Sequence, residues 1–183
     1  MAVPDQAKDP SMQQSFMRIA LDEARKSPPK PTNFCVGACL VAPNGALLAT
    51  GYTLECEGNT HAEQSCFIKL ARERGCTEET LGEHLAKGTV LYTTMEPCNK
   101  RSVGNMSCVD RILRLKEGSA GRGGVSTVYV GVSEPETFVG VNAGRRRLEA
   151  AGIRVEHVPG FEDEILRVAT AGHVQMEEEG QAG

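Results

Sequence analysis

The sequence predicts an α/β fold, a three-layer α/β/α sandwich on a mixed five-stranded sheet. Two observations carry this expectation. An opening pair of β-rich runs is joined by Pro43-Asn44-Gly45, and helical and β-rich segments then alternate to the end of the chain. Alternation of that kind lays helical crossovers over both faces of a sheet. Size is the third: 183 residues suffice for one domain with a substantial core and fall short of two ordinary ones.

The elements follow in order. MAVPDQAKDP carries charge and two prolines but no apolar run behind a basic start, so residues 1–10 read as a disordered lead-in and not as a secretory signal. Ser11 with Gln14 three residues later forms a capping box. Phe16, Ile19, Ala20 and Ala24 then recur at helical spacing until Pro28-Pro29 stops them. Thr32 to Ala42 reads as a buried strand and Ala46 to Gly51 as its hairpin partner. His61 to Arg74 is a helix, capped by Thr60 and ended by Gly75. A shorter helix is expected from Thr77 to Ala86, a third strand from Thr89 to Thr94, and a helix from Met106 to Lys116.

Gly118 to Gly124 reads as a connector, since GSAGRGG lacks the G-x-x-x-x-G-K-[ST] phosphate fingerprint. Val125 to Val132 is the fourth strand. Asn142 caps a helix reaching Ala151, Gly152 ends it, and Ile153 to Val158 is the fifth strand. A last helix over Phe161 to Ala171 precedes the acidic run Glu177 to Glu179. One domain over residues 11–175 with a tail over 176–183 accounts for the chain.

Composition narrows the function classes. The 40% hydrophobic and 24% charged content is that of a soluble globular protein, and no apolar run reaches the roughly 18 residues of a membrane span. Seven cysteines, an odd number without an export signal, indicate a reducing compartment, the cytoplasm with the nucleus left open. A net charge of −4 and the absence of tryptophan leave little for gripping phosphate backbones or stacking bases, so nucleic acid is not an expected partner.

The chemistry lies in His61-Ala62-Glu63, Pro97-Cys98 and Cys108. Zinc favours imidazole and thiolate, and catalytic zinc sites use three protein ligands so that water can take the fourth position. His61 falls in the first turn of a helix, Cys98 follows the third strand, and Cys108 opens the next helix. In α/β sheets such strand ends and helix starts gather along one edge, where sites form. Glu63, two residues from His61, can reach water at the metal without competing as a ligand, and can carry protons to a ring nitrogen and a leaving amine. H-x-E with P-C-x-x-C is the signature of zinc deaminases, in which the Glu is acid/base and not a ligand. This chain keeps the first half, but nine residues separate Cys98 from Cys108.

Blander readings stand beside these. Thr60-x-x-Glu63 is also a capping box, and a structural zinc would need a fourth ligand, which Cys56 or Cys66 could supply. Cys35, Cys39, Cys66 and Cys76 lie in apolar or helical settings as core fillers. His84, His157 and His173 have no motif around them. Arg145-Arg146-Arg147 reads as a solvated helix face, with a dimer contact or phosphate site as the alternative.

THAEQSCF, LYTTMEPCNKRSVGNMSC and NFCVGACLV resemble the cytidine deaminase superfamily. Within it they are most similar to the riboflavin-biosynthesis branch, whose members deaminate a diaminopyrimidinone carrying a ribosyl- or ribitylamino phosphate. Asn33, Val36 and Gly37 match one element of that branch, and Thr94, Glu96, Pro97 and Cys98 another. The stretch Asn99 to Ser107 is closer to fungal members than to bacterial ones, which carry a histidine and a glycine-arginine pair there. The resemblance covers about Thr32 to Val158 and implies a standalone, zinc-dependent deaminase with a ribitylamino substrate. It also implies a small-molecule partner, allows a homodimer, and suggests Asn33 as a contact to base or sugar. Ala62 and Asn99 join that substrate set by position. Lys100 and Arg101, in the insert, have the charge to meet a phosphate. Cytidine, deoxycytidylate or tRNA adenosine deamination is the rival reaction, and a non-catalytic zinc protein on the same fold is the rival class.

Overall fold

The computed structural model describes residues 9–118, 124–133 and 143–173. Its first half contains α1 (Pro10–Ala24), β1 (Gly37–Val41), β2 (Leu47–Tyr52), α2 (Ala62–Glu73) and β3 (Thr89–Met95). The second half contains α3 (Cys108–Gly118), β4 (Val125–Val132), α4 (Ala143–Ala150), β5 (Arg154–His157) and α5 (Glu162–Ala169). The strands lie in the order β2-β1-β3-β4-β5. β1 runs antiparallel to β2 and β3, whereas β3, β4 and β5 run parallel. The sheet is therefore mixed and five-stranded, as the alternation of elements predicts.

β3 is central and buried along its whole length, which explains the unbroken β-branched and apolar run TVLYTT: a strand covered on both faces has no polar side to show. Its side chains alternate between two cores. Val90 and Tyr92 face the layer of α1 and α5, where Phe16, Met17, Tyr129 and Ile165 pack. Leu91 faces α2, α3 and α4, where Phe67, Leu70, Ile112, Leu115 and Leu148 pack. These are the three layers.

Two glycines set the close contacts that position the site. A Cβ on Gly37 would stand 1.9 Å from the Ala20 carbonyl oxygen, so α1 lies directly on β1. A Cβ on Gly51 would stand 2.4 Å from the Ala62 oxygen, so the start of α2 lies flush on β2.

Several boundaries differ from expectation. α1 begins at Pro10, because Asp9 and not Ser11 caps it, accepting from the Ser11 N–H at 2.9 Å. Residues 32–36 are not strand. The Cys35 N–H donates to the Ala169 oxygen and the Val36 N–H to the Thr53 hydroxyl, so amides that a sheet ladder would use are taken elsewhere. The expected helix from Thr77 to Ala86 is a single 3₁₀ turn, Leu81–His84. There Gly82 meets the α3 backbone so closely that a Cβ would stand 2.2 Å from the Leu115 oxygen. α3 starts at Cys108, two residues late, because Ser107 caps it: its hydroxyl accepts the Asp110 N–H at 3.1 Å and donates to the Asp110 carboxylate at 2.6 Å. Asn142, most of the glycine-rich connector and the acidic tail fall outside the described residues.

Candidate active site

The site assembles where β3 ends and α2 and α3 begin. His61 is the N-cap residue of α2, with extended backbone (φ −87°, ψ 164°) and no side-chain bond to the helix. Its ring is left free to turn toward the end of β3. Thr60 does not cap the helix as expected. Its hydroxyl is engaged with the Cys56 N–H at 3.2 Å and accepts from Ser65, so the capping-box reading of Thr60 and Glu63 does not hold.

Cys98 and Cys108 arrive from β3 and α3. The Cys98 Sγ is 3.5 Å and the Cys108 Sγ 3.4 Å from the His61 Nδ1, and all three donor atoms lie within 4.8 Å of one another. In a tetrahedral zinc site, bond lengths near 2.0 and 2.3 Å place nitrogen and sulfur about 3.6 Å apart. The spacing and the N, S, S donor chemistry therefore fit a zinc ion. Among the described residues these three form the only such group. Cys66 directs its thiol to the Ala38 oxygen, and Cys56 is not part of the group, so among the described residues no fourth ligand closes the site.

The two thiols share a proton unequally. The hydrogen bond from Cys108, aided by His61, holds Cys98 down to about 4, while Cys108 is pushed well up by that same bond and by burial. The arrangement favours the thiolate at Cys98, the form in which a cysteine serves as a metal ligand. The Cys108 N–H also donates to the Cys98 Sγ at 3.4 Å.

Glu63 sits in the first turn of α2, only 3% exposed. Its Oε2 accepts from the Cys108 thiol at 3.3 Å, and its Oε1 lies 3.5 Å from the Thr93 hydroxyl, which bonds more closely to the Met95 oxygen at 2.9 Å. Burial pushes the carboxyl above its ordinary range, with His61 pulling the other way. Beside these groups opens a cleft with about 160 Å³ of internal space. Its lining includes His61, Glu63, Glu96 and Cys98 together with Thr32, Asn33, Phe34 and Val36.

Of the expected substrate contacts, Asn33 lines this cleft. Ala62 is fully buried in the core behind it. Asn99 is turned to α4, its Oδ1 accepting from Arg147 at 2.8 Å. Lys100 is exposed. Arg101 ties the insert to the cleft edge, donating to Gln64 at 3.0 Å and to the carbonyl of Asn59, a lining residue. The arginine run is not uniformly solvated, because Arg147 also pairs with Asp110 and Arg145 donates to the Val155 oxygen at 2.7 Å. Thr53, Asn59, Met95 and Glu96 line the cleft without having been expected there. Glu96 alone had a sequence signal, its place in T-x-E-P-C.

Comparisons with known proteins agree with this geometry. Residues 10–120 match the model of the cytidine and deoxycytidylate deaminase zinc-binding region. The chain is 39% identical over 164 residues to the diaminohydroxyphosphoribosylamino-pyrimidine deaminase of Schizosaccharomyces pombe, covering 90% of this chain and 36% of that protein. It is 35% identical over 127 residues to the riboflavin biosynthesis protein RibD of Mycobacterium tuberculosis, covering 69% and 30%. The chain thus spans about a third of the length of the curated relatives it matches. Among solved structures, a C-terminal deletion mutant of Aspergillus oryzae Rib2 deaminase at pH 4.6 superimposes with a TM-score of 0.81 at 45% identity, over 93% of this chain and 97% of that one. The same deaminase in complex with DARIPP gives 0.80 at 43% identity, over the same shares.

Proposed function

Since the chain belongs to the cytidine and deoxycytidylate deaminase zinc-binding family, we propose that it hydrolytically deaminates a diaminopyrimidinone with a ribosyl- or ribitylamino 5′-phosphate side chain, the intermediate of riboflavin biosynthesis. The observation that carries this reading is the placement of the buried Glu63 carboxyl against the His61, Cys98 and Cys108 donor set at the wall of an open cleft.

His61, Cys98 and Cys108 would hold zinc. Bound there, zinc supplies a Lewis acid that makes water nucleophilic near pH 7. Glu63 would take a proton from the attacking water as the water oxygen bonds to the amino-bearing ring carbon, and would deliver it to the adjacent ring nitrogen. A second proton passes through the same carboxyl to the departing nitrogen; the C–N bond breaks, ammonia leaves and a carbonyl remains. Burial suits Glu63 to this traffic, since a carboxyl held above its usual range can both accept and return a proton. Asn33, in the lining of the same cleft, contacts base or sugar, and Lys100 and Arg101 meet the phosphate from the insert.

The nine-residue insert and the similarity to riboflavin-pathway deaminases support this substrate over cytidine and deoxycytidylate. The intact Glu63 supports a catalyst over a metal-binding scaffold. No described helix is long and apolar enough to cross a membrane, and all seven cysteines are free; both fit a cytoplasmic location. Assembly as a homodimer belongs to the same reading and is measured by light scattering.

Ammonia release from zinc-loaded protein tests the reading, with the diaminopyrimidinone phosphates, cytidine and deoxycytidylate offered in parallel. Release from the pyrimidinone phosphates is the expected result. Release from cytidine or its nucleotide alone would replace the substrate and keep the chemistry, and silence on all would leave the scaffold reading.

A further inference from the structure

One wall of the cleft belongs to no helix or strand. Thr32, Asn33, Phe34 and Val36 all line the cavity, yet they lie in an irregular segment before β1. Such a segment holds its shape only if its polar groups and rings are tied to something rigid. Val36 is held by the Thr53 hydroxyl; the other ties run to the last residue of α5 and the turn after it. The Cys35 N–H donates to the Ala169 oxygen at 3.0 Å. Gly172 abuts Lys30 so closely that a Cβ would stand 2.4 Å from the Lys30 nitrogen. His173 closes the set: its Nε2 lies 2.8 Å from the Asn33 carbonyl oxygen, and its ring centroid is 4.8 Å from that of Phe34, tilted by 60°.

A carbonyl oxygen only accepts, so the Nε2 must carry the proton and donate. Asn33 spends its own side chain locally, its Oδ1 accepting the Lys30 N–H at 3.0 Å. The backbone of Asn33 therefore depends on His173 from outside the segment, and the neighbouring Phe34 ring leans on the same imidazole.

We propose that His173 is a positioning residue for the substrate: it holds the Asn33–Phe34 wall of the cleft at the spacing the ligand needs, from a point 65 residues beyond the last zinc-binding cysteine candidate, Cys108. It touches neither the ligand nor the metal donors. The inference rests on the reading that this cleft binds the pyrimidinone substrate. A loosened wall weakens binding while the proton-transfer machinery at Glu63, carried by α2 and β3, stays in place.

The test uses the full-length, zinc-loaded protein with His173→Ala and His173→Gln. The Ala variant should raise KM about tenfold, in line with the loss of a hydrogen bond and a ring contact. Its kcat should stay within about twofold and its zinc content should not change. Gln, whose amide N–H reaches as far as Nε2, should recover most of the loss. Amide hydrogen exchange over residues 33–36, measured without substrate, should quicken in the Ala variant and return toward wild type in the Gln variant. Unchanged exchange would overturn the proposal whatever the substrate, as would an unchanged KM or a kcat that falls with the zinc content. A wild-type protein that turns over no pyrimidinone would instead remove the functional reading, while quickened exchange would still show the wall tied to His173.

Discussion

The backbone N–H of Cys108 donates to the Sγ of Cys98 across 3.4 Å, so the residue that opens α3 offers a thiol of its own and steadies its neighbour's. Hydrogen bonds to a ligand sulfur fix its orientation and share its charge. Because the first turn of α3 makes that bond, the cap at Ser107 becomes part of the metal site. Ser107→Ala should cost about 1 kcal/mol of stability and lower zinc affinity about tenfold. A competitive chelator titration checks the second figure, and an unchanged affinity would separate the cap from the site.

Glu63→Gln keeps size and shape and removes the proton carrier. Turnover should fall by about 10² to 10⁴, with one zinc per chain and an unaltered unfolding midpoint. Activity within tenfold of wild type would take the proton-transfer role away from this carboxyl.

Removing the metal should abolish turnover, and adding zinc back should restore it. Cys98→Ala and Cys108→Ala should each lose both metal and activity, as three ligands cannot spare one. Retained zinc in either variant, read by elemental analysis, would reject that cysteine as a ligand.

Lys100 and Arg101 divide differently. The Arg101 guanidinium is engaged with Gln64 and Asn59, whereas Lys100 is exposed in the insert. Lys100→Ala should raise KM about tenfold for the phosphorylated substrate and leave the dephosphorylated one unaffected. Arg101→Ala should raise KM for both, and more for the phosphorylated one, because it frees the cleft edge as well as removing a phosphate contact. Equal behaviour of the two variants on the two substrates would erase the distinction.

Gly37→Ala tests the packing of α1 on β1. The added methyl would enter the backbone around Ala20 and Ala24, which cannot yield without moving the helix, and should cost about 3 kcal/mol or more. Chemical denaturation measures it.

Acid should weaken the contact between α1 and α5. The hydrogen bond from Arg18 to Glu164, with Arg25 close by, holds the Glu164 carboxyl below its ordinary 4.5. A carboxyl lowered in the folded state stabilises above its unfolded pKa, and that contribution disappears as pH falls through the folded value. Wild type should therefore lose more stability between pH 6 and pH 3 than Glu164→Gln does. Equal losses in urea titrations would show the pairs to be inert.

His61, Glu63 and Cys98 were legible in the sequence because each belongs to a short local pattern: H-x-E at a helix start, and P-C after a β-rich run; Cys108 was legible only through the resemblance, since nine residues part it from Cys98. The sheet was legible for a related reason, since TVLYTT and VSTVYVGV state their burial in their composition. The cleft wall was not. Residues 32–36 are as apolar as a strand, and only their engagement by Ala169 and Thr53, far along the chain, keeps them out of the ladder. Thr60 offered the right side chain for a cap, but the preceding turn claimed its hydroxyl through the Cys56 N–H. His173 had no motif to mark it, because its role depends on a partner 140 residues away.

The insert between the cysteines closes on itself: the Val109 N–H donates to the Cys98 oxygen at 3.2 Å, and Val103 at its far end stands wholly in solvent. Its two ends are thus pinned independently of what lies between them. Doubling such a loop costs only about 0.6 kcal/mol in closure entropy. Ser102 to Gly104 is accordingly a permissive attachment point for a grafted peptide or a fluorescent label.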